Sequence, residues 1–130
     1  MIVLDASAAL DFLLQTPAGL RIEWRIYSRT ESLHAPHLLD LEVTQVLRRL
    51  ARSGTITNTR AEEALQDWLG LSITRHSHNT LLSRIWEYRH NLSMYDAAYV
   101  VLAEVLGASL VTRDRRLASA PGLRIKVEVF

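Results

Sequence analysis

Ile2-Val3-Leu4-Asp5-Ala6-Ser7-Ala8 opens the chain with three consecutive apolar residues, an aspartate, and small residues suited to the start of a helix. Ser109-Leu110-Val111-Thr112-Arg113-Asp114 repeats the plan near the other end, a strand-like run with an acid just behind it. A short apolar run without polar alternation, followed at once by a helix, suits a strand buried on both faces of a parallel sheet. Outward from these two stretches, apolar runs alternate with helical patterns along the whole chain, which predicts an α/β layered domain around a parallel sheet. Strands are expected at 2–4, 32–35, 71–74, 109–112 and 125–129. Helices are expected near 6–14, 17–28, 36–53, 58–69, 79–91 and 94–106, with a last short one after Asp114. Thr16-Pro17 is an N-cap followed by proline in the first helical position, while Ser53-Gly54 and Leu106-Gly107 are stop signals. Ligands of open parallel sheets bind beyond the carboxyl ends of the strands, where Asp5 and Asp114 fall.

The 130 residues make one domain with enough chain for a real core, and 48% hydrophobic against 22% charged residues is ordinary for a globular protein. The absence of cysteine excludes disulfides, thiolate metal sites and cysteine nucleophiles. The longest apolar run, Ala97 to Ala103, is far too short to span a bilayer, and no basic region precedes the apolar stretch that Asp5 interrupts. A cytoplasmic protein without a membrane partner is expected, so the sequon Asn91-Leu92-Ser93 carries no weight. Net charge is +1, which gives no global basic field. Arginine supplies 14 of the 15 basic residues and Lys126 is the only lysine, a bias that suits phosphate contacts and that a GC-rich genome produces equally well.

Four carboxylates, Asp5, Glu42, Asp96 and Asp114, stand in or beside apolar segments, where a charge needs compensation. Acids converging on one point, with no cysteine and almost no lysine to neutralise them, suit a hard divalent cation such as Mg²⁺ or Mn²⁺. Simpler roles compete with this one. Asp5 and Asp114 are well placed as helix N-caps, and Ser93-Met94-Tyr95-Asp96 fits a capping box. Yet Asp96 and Glu104 are the only charges from Met94 to Leu106, so Asp96 belongs to a helix buried on most sides. Glu42 lies in the second turn of its helix, about 70° from the centre of the stripe Leu39, Val43, Val46 and Leu50. Asp40 flanks the opposite edge of that stripe, and helical geometry does not choose between the two. Ser7 and Thr112 are possible hydrogen-bond partners for the acids. The five histidines show no ligand spacing and are read as surface residues, with His76 and His78 on a loop. Arg48, Arg49 and Arg52 suit the dipole at a helix end, and Leu65, Trp68, Ile85 and Tyr88 are packing residues.

Taken in order, Ile2–Ala8, Ala35-Pro36 through Leu41-Glu42-Val43, Ser93-Met94-Tyr95-Asp96-Ala97-Ala98-Tyr99, and Leu110-Val111-Thr112-Arg113-Asp114-Arg115-Arg116-Leu117 resemble the PIN-domain ribonucleases, especially the VapC-like toxins of bacterial toxin–antitoxin pairs. The resemblance covers essentially the whole chain. It implies a three-layer α/β/α sandwich around a mainly parallel sheet, and an endoribonuclease dependent on Mg²⁺ or Mn²⁺ that leaves 5′-phosphate and 3′-hydroxyl ends. The family's acidic quartet falls on Asp5, Glu42, Asp96 and Asp114, with Asp5 and Asp96 as direct metal ligands. Glu42 and Asp114 complete the shell, bind a second metal or orient the nucleophilic water. Gln45 departs from the asparagine of many relatives. Implied partners are an RNA substrate, a cognate antitoxin whose tail enters the cleft, and a second copy in a homodimer. One alternative is a catalytically silent PIN-like module that binds RNA or protein. Another is a phosphatase of the haloacid-dehalogenase type, which needs an acid where Ser7 stands and a lysine in the site, whereas Lys126 lies in the terminal strand.

Overall fold

In the computed structural model, which describes residues 1–130, Ile2–Leu4 (β1) is fully buried at the centre of a five-stranded sheet. Leu33–Pro36 (β2) and Ser109–Thr112 (β4) flank it, and Ile73–His76 (β3) and Val127–Val129 (β5) form the edges. Every pairing is parallel, in the order β3-β2-β1-β4-β5. The register sets Leu4 beside Val111, so β1 and β4 end nearly level and deliver Asp5 and Asp114 to one rim.

Helices Ala6–Leu13 (α1) and Pro17–Tyr27 (α2) connect β1 to β2, and Leu38–Arg52 (α3) and Asn58–Gly70 (α4) connect β2 to β3. The chain then turns back through Leu82–Glu87 (α5) and Met94–Leu106 (α6) to β4, and Arg115–Ala118 (α7) leads to β5. Right-handed crossovers put helices on opposite faces when the direction of travel across a sheet reverses. The first four helices therefore cover one face and the last three the other, which is the three-layer sandwich. Helix α6 has seven consecutive buried residues, Ala97 to Ala103, because it lies against β1, β2 and β4. It ends at Gly107, whose φ of 62° is left-handed and suits glycine. No helix is long and apolar enough to cross a membrane.

The elements differ from the sequence expectation mainly at their edges. Strand β3 begins at Ile73 rather than 71, because Leu71 closes α4 by donating its N–H to the Trp68 carbonyl. Pro36 ends β2 instead of opening a helix, and the segment from 79 to 91 divides into a 3₁₀ turn, Asn79–Leu81, and the short α5. The histidines need correction. His34 is buried in β2 and His76 lies in β3, with His34 Nδ1 2.9 Å from His76 Nε2 and His34 Nε2 2.8 Å from the Ser32 hydroxyl. Parallel neighbours on adjacent strands satisfy ring nitrogens that burial takes from water, a partnership invisible to spacing along the chain.

The turn from α1 to α2 requires glycine for space. A Cβ on Gly19 would come within 1.8 Å of the Asp11 carbonyl oxygen, so the two helices meet backbone to backbone there. Replacing Gly19 with alanine forces this junction apart and is expected to cost about 3 kcal/mol. Urea unfolding measures it, and an unchanged midpoint would show that the junction yields freely.

Candidate active site

Asp5 leaves β1 at the moment α1 begins, and the residue is only 6% exposed. Its Oδ1 accepts from the Ala8 N–H at 3.0 Å and the Ser7 hydroxyl at 2.7 Å, and its Oδ2 accepts from the Thr112 hydroxyl. Both hydroxyls are turned toward Asp5 because each is already taken as an acceptor. Arg113 N–H donates to Ser7 Oγ at 2.9 Å and Asp114 N–H donates to Thr112 Oγ1 at 2.9 Å. Strand β4 is thus tied to the end of β1 through side chains as well as the sheet. Burial raises the Asp5 pKa, the Ser7, Thr112 and Ala8 bonds partly offset this, and the charge of Asp96 adds to the rise.

The remaining acids follow from the helix starts. Asp114 caps α7, its Oδ1 accepting from Arg116 N–H at 2.8 Å and Leu117 N–H at 3.3 Å. Asp96 is in the first turn of α6, whose N-cap Ser93 accepts the Asp96 N–H at 3.1 Å. Burial raises the Asp96 pKa, Ser93 pulls against it, and the charge of Asp114 raises it further. Glu42 receives a 2.7 Å hydrogen bond from the Tyr99 hydroxyl. Burial raises Glu42, the Tyr99 bond opposes this, and Asp5 and Asp96 raise it again. Charge coupling therefore links all four acids: Glu42 with Asp5 and Asp96, Asp5 with Asp96, and Asp96 with Asp114.

The four carboxylates share a region without closing on one point, since no three histidine or carboxylate side chains are arranged to hold a metal ion. Repulsion and prior engagements explain the spread: hydroxyls hold Asp5, Tyr99 holds Glu42, and α7 holds Asp114. What sets the quartet apart is that acids drawn out of water and coupled to one another have no cationic partner, whereas the unpaired Glu62 and Asp67 are exposed to solvent. Ion pairs involve Asp11, Glu31, Asp40, Glu63, Glu87, Glu104 and Glu128, and none of the four. Asp40 is thereby separated from Glu42, its neighbour across the α3 stripe. It binds Arg75 Nε at 2.9 Å and the Trp68 indole N–H at 2.8 Å, and against the upward pull of burial these partners hold its pKa low.

Tyr99 was legible only as part of a motif, with no role attached. Its position three residues after Asp96 in α6 puts both on one helix face, and that spacing is the signal that finds it. Burial and then the bond to Glu42 push the Tyr99 pKa upward, so it stays a donor.

The PIN domain profile matches residues 2–123. The chain belongs to the PIN-domain family. This PIN domain is 47% identical over 118 residues to Ribonuclease VapC9 of Mycobacterium tuberculosis, covering 91% of this chain and 89% of that protein. Among solved structures, PAE2754 from Pyrobaculum aerophilum matches with a TM-score of 0.70 and 28% identity over 98% of this chain and 83% of the other. VapBC2 from Rickettsia felis, solved bound to a DNA fragment from its promoter, matches the fold with a TM-score of 0.69 at 12% identity, covering 99% of this chain and 98% of the other. Family membership removes the haloacid-dehalogenase alternative.

Two predictions come from the site's electrostatics. A carboxyl whose folded pKa is raised binds its proton more tightly in the folded state, so its destabilising charge is fully present at neutral pH and relieved as pH falls through the folded pKa. Metal-free Asp96→Asn protein should therefore be more stable than the unaltered chain near about pH 7.5, with the gap narrowing toward about pH 5. His34, whose pKa burial lowers, acts in the opposite direction but is common to both proteins. Thermal melts across this range measure the gap, and a constant difference would contradict the upward shift of the Asp96 carboxyl. The second prediction separates the two edges of α3. Asp40→Asn should cost about 1–3 kcal/mol in unfolding experiments through the loss of its Arg75 and Trp68 partnership, whereas Glu42→Gln should leave stability equal or improved. The reverse order would exchange their roles.

Proposed function

We propose that this PIN domain is a divalent-metal-dependent endoribonuclease acting in the cytoplasm as the toxin of a toxin–antitoxin pair. The observation that carries the reading is the charge-coupled quartet without a cation, at the carboxyl rim of the sheet, in a chain 47% identical to a ribonuclease over most of its length. The donor set fits Mg²⁺ or Mn²⁺, because it is all oxygen, negatively charged and uncompensated. Each side chain also keeps acceptor capacity: Asp5 Oδ2 takes one bond, while Glu42 Oε2 and Asp114 Oδ2 take none from the protein.

Asp5 and Asp96 would hold the cation directly, with Glu42 and Asp114 completing the shell or orienting the attacking water. The bound cation would supply Lewis acidity, lowering the pKa of water and offsetting charge at the phosphoryl oxygens. Ser7, Thr112 and the Ala8 N–H fix the Asp5 carboxylate, and Tyr99 fixes Glu42 with Oε2 left free to accept a proton from the attacking water. In-line displacement then releases the 3′ oxygen and leaves a 5′-phosphate. Arg115 and Arg116 are exposed beside Asp114 and have no acidic partner, so they are available to the RNA backbone.

A cognate antitoxin presenting an arginine to the acids would neutralise the same charges and compete with the metal. Its existence is supported by the toxin–antitoxin nature of the VapBC2 match, and a homodimer is the proposed assembly. The test is cleavage of single-stranded RNA by the purified chain. EDTA should abolish cleavage, Mg²⁺ or Mn²⁺ should restore it, and Asp5→Asn or Asp96→Asn should lower it on the order of a thousandfold. Undiminished cleavage by the Asp96→Asn protein would overturn the assignment.

A further inference from the structure

Asp5, Glu42 and Asp114 each have one carboxylate oxygen committed to the protein and acceptor capacity left on the other. For Asp5 and Asp114 the commitment comes with the helix start: Asp5 Oδ1 accepts the Ser7 hydroxyl and the Ala8 N–H, and Asp114 Oδ1 accepts the N–H groups of Arg116 and Leu117. Glu42 reaches the same state through a distant residue, the Tyr99 hydroxyl, 2.7 Å from Oε1. Tyr99 is 1% exposed and is the one side chain with a polar atom in the buried run Ala97 to Ala103. Phenylalanine would fill the same space without taking a hydroxyl out of water, so packing does not account for the oxygen. The bond also crosses the rim from α6 in one helical layer to α3 in the other. It fixes a glutamate whose side-chain torsions could otherwise turn either oxygen outward.

We propose that Tyr99 determines which cation the rim accepts: by occupying Oε1 it limits Glu42 to a single-oxygen ligand, favouring Mg²⁺ or Mn²⁺ over Ca²⁺. The proposal rests on the reading of the rim as a divalent-cation site. Ca²⁺ takes about six to eight oxygens and is often chelated by both oxygens of one carboxylate. Mg²⁺ is smaller, demands an octahedron and keeps several of its waters, so single oxygens from a few carboxylates suit it. Asp5 and Asp114 are already restricted by their own helix starts, which leaves Glu42 as the acid whose mode of binding one hydroxyl decides. To chelate an ion with both oxygens, Glu42 must turn Oε1 away from Tyr99 and leave a buried hydroxyl unpaired. That penalty falls on a cation that needs both oxygens and not on one that takes Oε2 alone.

The test loads the metal-free protein with Mn²⁺, followed by electron paramagnetic resonance, and displaces it with Ca²⁺ or Mg²⁺. The unaltered chain is compared with Tyr99→Phe, Glu42→Gln and the doubly substituted protein; phenylalanine keeps the ring that fills the core, so the fold is retained. Tyr99→Phe should make Ca²⁺ about tenfold more effective as a competitor relative to Mg²⁺, because Oε1 is released. With Glu42→Gln already in place the same substitution should change nothing, since no second carboxylate oxygen remains to be released. A hydroxyl that merely holds α6 to α3 would weaken every cation together, so an unchanged Ca²⁺ to Mg²⁺ ratio in Tyr99→Phe would overturn the proposal while leaving the cation site in place. A shift that persists in the Glu42→Gln background would also overturn it. Cleavage of single-stranded RNA with Mg²⁺ is assayed in parallel. A Ca²⁺ shift in a protein that cuts no RNA would retain the role of Tyr99 and overturn the nuclease, and absence of Mn²⁺ binding would overturn both.

Discussion

A carboxylate placed at the end of the most buried strand is the constraint around which this molecule is built. Asp5 follows three residues with no exposure at all, and its own side chain is almost entirely enclosed. An ionised group in that position needs donors, and the protein supplies hydroxyls and a backbone N–H instead of a cation. Those donors fix more than Asp5. Ser7 also receives Arg113 and Thr112 receives Asp114, so the end of β4 and the start of α7 are set by the same carboxylate. Hydrogen bonds that satisfy geometry while leaving charge uncompensated create a site whose missing element is positive charge.

The stabilising acids show the contrast. Glu128 on β5 takes both Arg25 Nε and Nη2, and Arg25 with lesser help from Lys126 draws its pKa down to about 2. Glu104 on α6 is held below the ordinary range, burial notwithstanding, by Arg84 and Tyr88. These pairs fasten α2 to the sheet and α5 to α6. Asp5, Glu42 and Asp96 shift the opposite way because burial outweighs their hydrogen bonds, with the charges of neighbouring rim acids adding a smaller rise. A structure that neutralises its architectural acids and leaves its rim acids repelling one another has separated stability from function by electrostatics.

Much of this was legible in the sequence, for identifiable reasons. Buried parallel strands leave uninterrupted apolar runs, so Ile2–Leu4 and Ser109–Thr112 were placed to the residue. Edge strands lack that signature, and β3 and β5 each begin two residues later than composition suggests. Asp5, Asp96 and Asp114 also serve as caps or first-turn acids, so local chemistry accounts for their positions and only their joint order pointed to a shared site. Glu42 and Asp40 were inseparable by helical angle, because what distinguishes them is a tyrosine on α6 and an arginine on β3, far away in the chain. The burial of His34 was hidden for the same reason, since its partner His76 lies across the sheet. The acids share one rim, but no three are arranged to hold an ion, because hydroxyls, Tyr99 and the start of α7 already engage Asp5, Glu42 and Asp114.

The central claim is that the unpaired acids at this rim form one cation site. Mn²⁺ titration followed by electron paramagnetic resonance, on the metal-free protein and on its Asp5→Asn variant, tests it most directly. The account predicts saturable binding with a dissociation constant in the micromolar to millimolar range for the unaltered chain, weakened at least about tenfold by the loss of one ligand charge. Equal Mn²⁺ affinity in the two proteins would contradict it, because the cation would then be held somewhere other than at Asp5 and the acids coupled to it.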